Sequence, residues 1–290
     1  MSSEIKPKLY LCATPIGNLG DITLRVIETL KNVDLIYCED TRNTLKLLNH
    51  FEIKKPTVSC HEHNEAQRAE EAAAAVSDGK SIAFVSDAGM PAVSDPGSRL
   101  IRYFIEKGLP FEILPGANAA MTAWTLSGLP TDSLYFCGFL PRNGKARENA
   151  IEKLKNISAT TVIYESPLRV SSTFAELYKK LGNRPCALVR EITKIYEQTV
   201  RGTLSGLAEK YAEQSPKGEC VIVMGGAPEE NHIDSDKILR FISALTEEGV
   251  SVKNIAKLAS DFFDIPKNDA YKLAGEMKEG LLNSKGNKEE

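Results

Sequence analysis

Three short loops carry the residue types with which this chain could do chemistry. The longest, Ser86-Asp87-Ala88-Gly89-Met90-Pro91-Ala92-Val93-Ser94-Asp95-Pro96-Gly97-Ser98, follows the apolar run 81–85 and precedes the helically periodic segment 99–107. Its glycines let the backbone turn sharply and approach a ligand closely, and its prolines stiffen it. Asp87 and Asp95 offer acceptors to hydroxyls or an amine. Open α/β sheets bind ligands at such carboxyl ends of strands, although an ordinary strand-to-helix turn reads the same way. Two similar loops raise the first possibility above the second. Thr14-Pro15-Ile16-Gly17-Asn18-Leu19-Gly20-Asp21 follows the run 8–13, and Pro115-Gly116-Ala117-Asn118-Ala119-Ala120 follows the run 111–114.

Charged residues close several other strand-like runs. Glu39-Asp40-Thr41-Arg42 ends the run 33–38, where it could do chemistry, hold substrate, or cap the helix 43–49. His61-Glu62-His63-Asn64-Glu65 invites a metal reading, but a strand-to-helix turn supplies no obvious third ligand. No metal is expected there; a polar turn facing substrate, or a cap for the helix 66–76, fits better. Arg142, Lys145 and Arg147 precede the helix 148–156 and could grip phosphate or form a solvated helix face. Glu165-Ser166-Pro167-Leu168-Arg169 closes the run 160–164, and Arg190-Glu191-Ile192-Thr193-Lys194 closes the run 186–189.

The elements that must position these residues alternate between strand and helix, which predicts an α/β protein. At 290 residues the chain has room for about two domains. The first, 1–116, should hold a mainly parallel sheet, with Asp21 as the cap of the helix 22–30. The second, 117–228, contains hairpin-like elements and should be mixed. Residues 225–231 read as a linker, and 229–282 as three short helices resembling a helix-turn-helix. The segment 231–290 carries nine Lys and Arg against eleven Asp and Glu, so its charge does not favour nucleic acid, and a packing or dimer-contact role competes. The tail 283–290 reads as disordered.

Composition sets wider bounds. The hydrophobic fraction is 42%, the charged fraction 26% and the net charge −3, ordinary values for a soluble globular protein and contrary to one that is basic throughout. No run is long enough to span a bilayer, and residues 1–8 lack the apolar core of an export signal, so a cytoplasmic protein without a membrane partner is expected. The six cysteines are widely spaced with no C-x-x-C, and reduced buried thiols are the expectation.

The three loops, in this order, resemble the tetrapyrrole methylase superfamily. A-T-P-I-G-N-L-G-D-I-T, C-E-D-T-R-N-T, H-E-H-N-E, G-F-L-P-R, Y-E-S-P-L-R and R-E-I-T-K narrow the resemblance to one branch. Its members are bacterial 16S ribosomal RNA methyltransferases acting on the ribose 2′-hydroxyl of a decoding-site cytidine. The motifs run from Leu9 to about Gly226, and the C-terminal helices also match the branch. The central loop departs from it, reading G-M-P-A-V where G-T-P-L-I is common. The opening loop lacks the G-x-G-P-G-D form of the tetrapyrrole enzymes, which favours RNA over a porphyrin.

The resemblance implies two consecutive α/β domains with S-adenosyl-L-methionine in the cleft between them, a small C-terminal helical domain, and a homodimer. The implied cofactor residues are Pro15, Gly17, Asp87, Ala88, Gly89, Ala92, Val93, Asn118, Ala119, Leu140, Tyr164 and Gly218. Methyl transfer to a hydroxyl is an in-line displacement in which positioning does much of the work. A base would help, and Asp40, Glu165 and Glu191 are candidate acids beside the cleft. Arg42, Arg169, Arg190 and Lys194 could hold phosphates or lower the hydroxyl's pKa, while Arg142, Lys145, Arg147, His61 and His63 are the candidate RNA contacts. The expected partner is 16S rRNA within the small ribosomal subunit, where shape contacts supplement phosphate contacts. Two alternatives are a tetrapyrrole-type small-molecule methyltransferase and a non-enzymatic nucleic-acid-binding regulator using the C-terminal helices.

Overall fold

A computed structural model describes residues 5–228, 235–263 and 265–286. They form two compact units, 1–227 and 228–290. The first unit holds two five-stranded sheets. In the first sheet, β1 (Leu9–Cys12), β2 (Leu35–Cys38), β3 (Thr57–Ser59), β4 (Ile82–Val85) and β5 (Phe111–Leu114) lie in the order β3-β2-β4-β1-β5, every pairing parallel. The connecting helices are α1 (Leu24–Asn32), α2 (Thr41–His50), α3 (Glu65–Ser77) and α4 (Ser98–Glu106). Parallel strands need helical crossovers, and helices on both faces explain why β1 and β4 are apolar and buried at every position. One buried cluster contains Leu9, Leu11, Ile82, Phe84 and Phe104; the other contains Tyr10, Ile36, Ala83, Val85 and Leu114. Alternate residues of each strand thus serve opposite faces.

Helix α1 begins later than its periodicity suggests. A single 3-10 turn covers Leu19–Asp21, and Thr23 caps the helix, its hydroxyl accepting from the Val26 amide at 3.2 Å. The expected cap, Asp21, lies inside that turn instead. The Asp40 and Asn118 side chains cap α2 and the helix α5 (Ala119–Ser127).

The second sheet has the order β6-β7-β10-β8-β9, from β6 (Leu134–Phe139), β7 (Thr160–Glu165), β8 (Pro185–Arg190), β9 (Gln198–Thr203) and β10 (Cys220–Met224). It is mixed: β6 pairs parallel with β7, while β10 runs antiparallel to both β7 and β8 and β9 antiparallel to β8. Consequently β6, β7 and β8 end at one edge of the sheet, where β10 begins. Helices α6 (Gly144–Lys153), α7 (Val170–Leu181) and α8 (Leu204–Lys210) cover one face, around Ile151, Ile163, Phe174 and Leu204. The other face packs on α5 and on Ile16 of the first loop, through Val162, Val189 and Val221.

Glu65, the last residue of the H-E-H-N-E motif, secures the far end of the central loop. It is buried, and its Oε1 accepts from the backbone amides of Gly97, Arg99 and Leu100 at 3.0, 2.8 and 3.0 Å. A carboxylate facing the amino end of α4 satisfies amides that have no intrahelical partner. We expect Glu65→Ala to lower the unfolding free energy by about 2–3 kcal/mol, since it orphans buried amides bonded to a charged group. Denaturant unfolding of the variant beside wild type checks this.

The second unit contains α9 (Ser235–Glu247), α10 (Val252–Phe263) and α11 (Lys267–Gly286) around Ile238, Ile242, Ile255, Ala259 and Ala274. Three helices stand where three were expected, and α11 continues through Gly286. Residues 287–290 of the expected tail lie outside the described residues. No helix among the described residues is long and apolar enough to cross a membrane. All six cysteines are unpaired, and burial pushes the Cys12 thiol up to about 12.

A candidate active site between the two sheets

The three loops converge. β1 and β4 are neighbours, so the loops that follow them leave side by side, and a short antiparallel bridge joins Thr14 to Gly89. The Thr14 amide donates to the Gly89 carbonyl at 2.9 Å and the Gly89 amide to the Thr14 carbonyl at 3.0 Å. Beyond the bridge the central loop folds back on itself, the Ala92 amide donating to the Pro96 carbonyl at 3.1 Å. Ala92 and Ser94 adopt positive φ of 67° and 64°, which non-glycine residues rarely do, so the loop holds a costly shape.

Between this loop and the edge where β7, β8 and β10 meet lies a cavity of ≈ 730 Å³. Ala88, Gly89 and Val93 form one wall; Asn118 and Ala119, at the start of α5, form its floor. Tyr164, Gly218 and Lys194 approach from the second sheet, joined by Asp95, Glu191 and Ile192. The size lies within the range of small-molecule sites, roughly 300–1,000 Å³.

Lys194 sits where the two sheets' loops touch. Its Nζ donates to Glu191 and Glu219, each at 2.9 Å. Burial alone would lower its pKa, but these two hydrogen bonds outweigh that and hold it above the usual lysine value. The ammonium is therefore a fixed cation and not a base. The Glu191 carboxyl is lowered by the Glu219 backbone amide and then by Lys194. Glu191 and Thr193 also have positive φ, 52° and 66°, which bends this turn toward Gly17.

At the carboxyl edge of the first sheet stand Glu39, Asp40, Asp87 and Asp95. Asp40 is bidentate with Arg42, at 2.6 Å to Nη2 and 3.0 Å to Nε, which holds its carboxyl down at about 2. Asp87 accepts from the Asp40 amide at 3.2 Å and from the Asn43 side chain at 2.9 Å. It lines a separate hollow of ≈ 170 Å³ with Pro15, Asn43 and Ser86. Burial raises the Glu39 carboxyl; the Asp87 backbone amide opposes the rise, and the charges of Asp87 and Asp40 add to it.

A family model described as tetrapyrrole (corrin/porphyrin) methylases matches residues 8–208, which span the first sheet, all three loops and strands β6 to β9 of the second sheet. The chain belongs to the tetrapyrrole methylase family. Relatives named ribosomal RNA small subunit methyltransferase I match along most of their length. The one from Halalkalibacterium halodurans is 45% identical, covering 92% of this chain and 94% of its own. That from Bacillus subtilis is 39% identical, covering 91% and 92%. Among solved structures, a uroporphyrin-III C-methyltransferase from Thermus thermophilus complexed with S-adenyl homocysteine superposes with a TM-score of 0.54. It is 19% identical and covers 75% of this chain and 97% of that one. A diphthine synthase gives 0.60 at 15% identity, covering 75% and 89%. These two likenesses concern the fold.

In this tetrapyrrole methylase several expected site residues stand elsewhere than their sequence neighbours imply. Arg147 is corrected first. It belongs to α6 and is only 7% exposed, with Nε on Glu176 at 2.7 Å, Nη2 on Thr173 at 2.8 Å and Nη1 on the Pro141 carbonyl at 3.1 Å. It holds α6 to α7 and cannot reach phosphate; Arg142 and Lys145 remain exposed. Glu165 is corrected as a catalytic acid. It borders the cavity, but the alternation of β7 sends Tyr164 toward the cavity and the Glu165 carboxylate to the covered face. There it meets Arg169 at 2.6 Å, Thr173 at 2.7 Å and Arg147 at 3.8 Å.

Leu140 is the third correction. A bulge between Phe136 and Gly138 shifts β6 by one residue, and such a shift exchanges faces. Leu140 joins the helix-covered core, and Phe139 takes the cavity side, its ring 5.5 Å from that of Tyr164. Gly138, with φ 66°, permits the bulge and the close approach of Ser94, whose Oγ would lie 3.1 Å from a Cβ there. Ala92, Pro15, Gly17 and Arg190 are not part of the main wall. Gly17 packs under Lys194, and Arg190 bonds Gln198 and the Lys217 carbonyl. His61 and His63 lie edge to face, 5.9 Å apart, and His61 Nδ1 is buried without a hydrogen-bond partner among the described residues. No group of three or more His, Cys, Asp and Glu among the described residues could hold a metal ion.

Phe139, Ile192 and Glu219 line the cavity without having been singled out as site residues. For Phe139 the available signal was the glycine inside a strand, Cys137-Gly138-Phe139, which marks a bulge.

Proposed function

We propose that this chain methylates small-subunit ribosomal RNA, using S-adenosyl-L-methionine as donor. The observation that carries the reading is the match to ribosomal RNA small subunit methyltransferases over more than nine-tenths of the chain. The finer assignment is the ribose 2′-hydroxyl of a decoding-site cytidine in 16S rRNA. Assembled small subunits as substrate, a homodimeric assembly and a cytoplasmic location belong to the same reading.

The residues present fit the donor. The cavity offers an exposed Ala88 and aromatic rings at Phe139 and Tyr164. When bound, the donor supplies a methyl group activated by its positive sulfur. The chain's own contribution is orientation: the central loop and the Asn118–Ala119 turn hold one reactant while the rim holds the other. That rim consists of Arg42, Arg190 and Lys194, with Arg142, Lys145, His61 and His63 farther out as RNA contacts. Arg42 is open to solvent, its side chain 86% accessible.

The test uses methyl-labelled donor with small subunits from a strain lacking this gene, with naked 16S RNA in parallel. Stoichiometric label in subunits, and at least tenfold less in naked RNA, is expected. Equal labelling of naked RNA would remove the assembled subunit from the reading. No label in either, despite donor binding measured by calorimetry, would remove ribosomal RNA.

A further inference from the structure

Four acidic residues border the cavity, and the carboxylates of three of them are already engaged. Glu165 is paired with Arg169, and Glu191 and Glu219 share Lys194. Asp40, the remaining candidate acid, is clamped by Arg42. Of the four, Asp95 has no salt bridge among the described residues. It comes from the central loop, directly after Ser94, which has a positive φ and whose Oγ lies against Gly138 of the second sheet. We propose that Asp95 is the proton acceptor for the hydroxyl that is methylated; this rests on the reading of the chain as a ribose 2′-O-methyltransferase.

The surroundings suit that task. Burial pushes the Asp95 carboxyl up to about 7, Glu39 and Asp87 reinforce the rise, and the Ser86 hydroxyl opposes it. Glu39 faces it from the end of β2, Asp87 and Ser86 from the end of β4, and the Tyr164 phenol from β7. A base with a pKa near the working pH combines a useful ionised fraction with enough strength to accept a proton. In the step itself, the 2′-oxygen forms a bond to the methyl carbon as the carbon–sulfur bond breaks and its electron pair stays on sulfur. The hydroxyl proton passes to the Asp95 carboxylate and from there to solvent. The products are a 2′-methoxy ribose, a neutral thioether and one proton. The acid must be ionised beforehand, so the rate rises with pH through its pKa. The donor's positive charge in the cavity draws that pKa downward from about 7.

The experiment compares wild type, Asp95→Asn and Asp95→Glu in single-turnover methylation of small subunits from pH 5 to 9, with donor affinity measured by calorimetry. Asp95→Asn is expected to slow the chemical step about 10²–10⁴-fold, to change donor Kd less than threefold, and to abolish the acidic limb seen in wild type. Asp95→Glu should recover part of the rate and retain a limb. A rate within fivefold of wild type in Asp95→Asn, or a limb that persists in it, overturns the proposal. So does a loss of activity matched by an equal loss of donor affinity, which would make Asp95 a donor-binding group. Absence of label from wild type overturns the functional reading and this proposal together, whereas labelling by wild type and Asp95→Asn alike overturns this proposal alone.

Discussion

Gly17→Ala is expected to lower kcat for RNA methylation about 100-fold while leaving the protein folded. A Cβ at this position would lie 2.6 Å from Lys194 Cγ, 2.9 Å from the Ile192 carbonyl oxygen and 2.9 Å from Thr193 Oγ1. The side chain of Lys194 could yield, but the Ile192 carbonyl belongs to a turn already held in an unfavourable shape by Glu191 and Thr193. The loop of the first sheet must therefore back away from the turn of the second. Both segments contribute to the cavity, through Ile16 on one and Glu191, Ile192 and Lys194 on the other, so the displacement separates whatever the two hold. A misplacement of about 1 Å can cost about 10²-fold in rate. The accompanying loss of stability should be about 1–3 kcal/mol, as for other overpacked sites. Steady-state kinetics with a thermal melt checks both. A kcat within threefold of wild type would show that the fit between these loops does not set the reacting geometry.

Glu165→Ala should be the most destabilising single change in the second sheet, by about 3 kcal/mol. The carboxylate is fully buried and is contacted by two arginines and the Thr173 hydroxyl. Removing it leaves Arg147, 7% exposed, with one carboxylate fewer in a place water does not reach. Glu176 still accepts from it, which keeps the loss at the lower end for a broken buried pair. Glu165→Gln should lose less, because an amide can still accept from Thr173. Denaturant unfolding measures the difference. The expected activity of folded Glu165→Gln is within tenfold of wild type. A folded, stable Glu165→Ala with no activity would instead return Glu165 to the chemistry.

The contrast between these two positions shows which parts of the site were legible. Proline and glycine punctuation after apolar runs located all three loops, since few residue types tolerate such turns. Alternation of strand and helix was enough to anticipate a parallel first sheet and a mixed second one. The facing of single side chains was a different matter. Arg147 stands in a basic cluster with Arg142 and Lys145, and nothing in the cluster distinguishes the one that turns inward to Glu165 and Glu176. Only partners supplied by β7 and α7, remote in sequence, decide it. Leu140 was misplaced because one extra residue in β6 exchanged its face with that of Phe139. Asp95 was visible as a polar residue in the central loop. Its isolation from cations depends on where Arg42, Arg169 and Lys194 find partners, which is a property of the folded chain. Thr23 displaced Asp21 as a cap because a 3-10 turn consumed Asp21 first.

The measurement that bears most directly on the account is nucleoside mass spectrometry of the product. Small subunits lacking the modification would be incubated with the purified protein and S-adenosyl-L-methionine, and their 16S RNA digested to nucleosides and to mapped oligonucleotides. The account predicts one added methyl on the ribose of a single decoding-site cytidine, identified by an unmodified base fragment. A methyl found on the base, or ribose methylation scattered over many nucleotides, would contradict it.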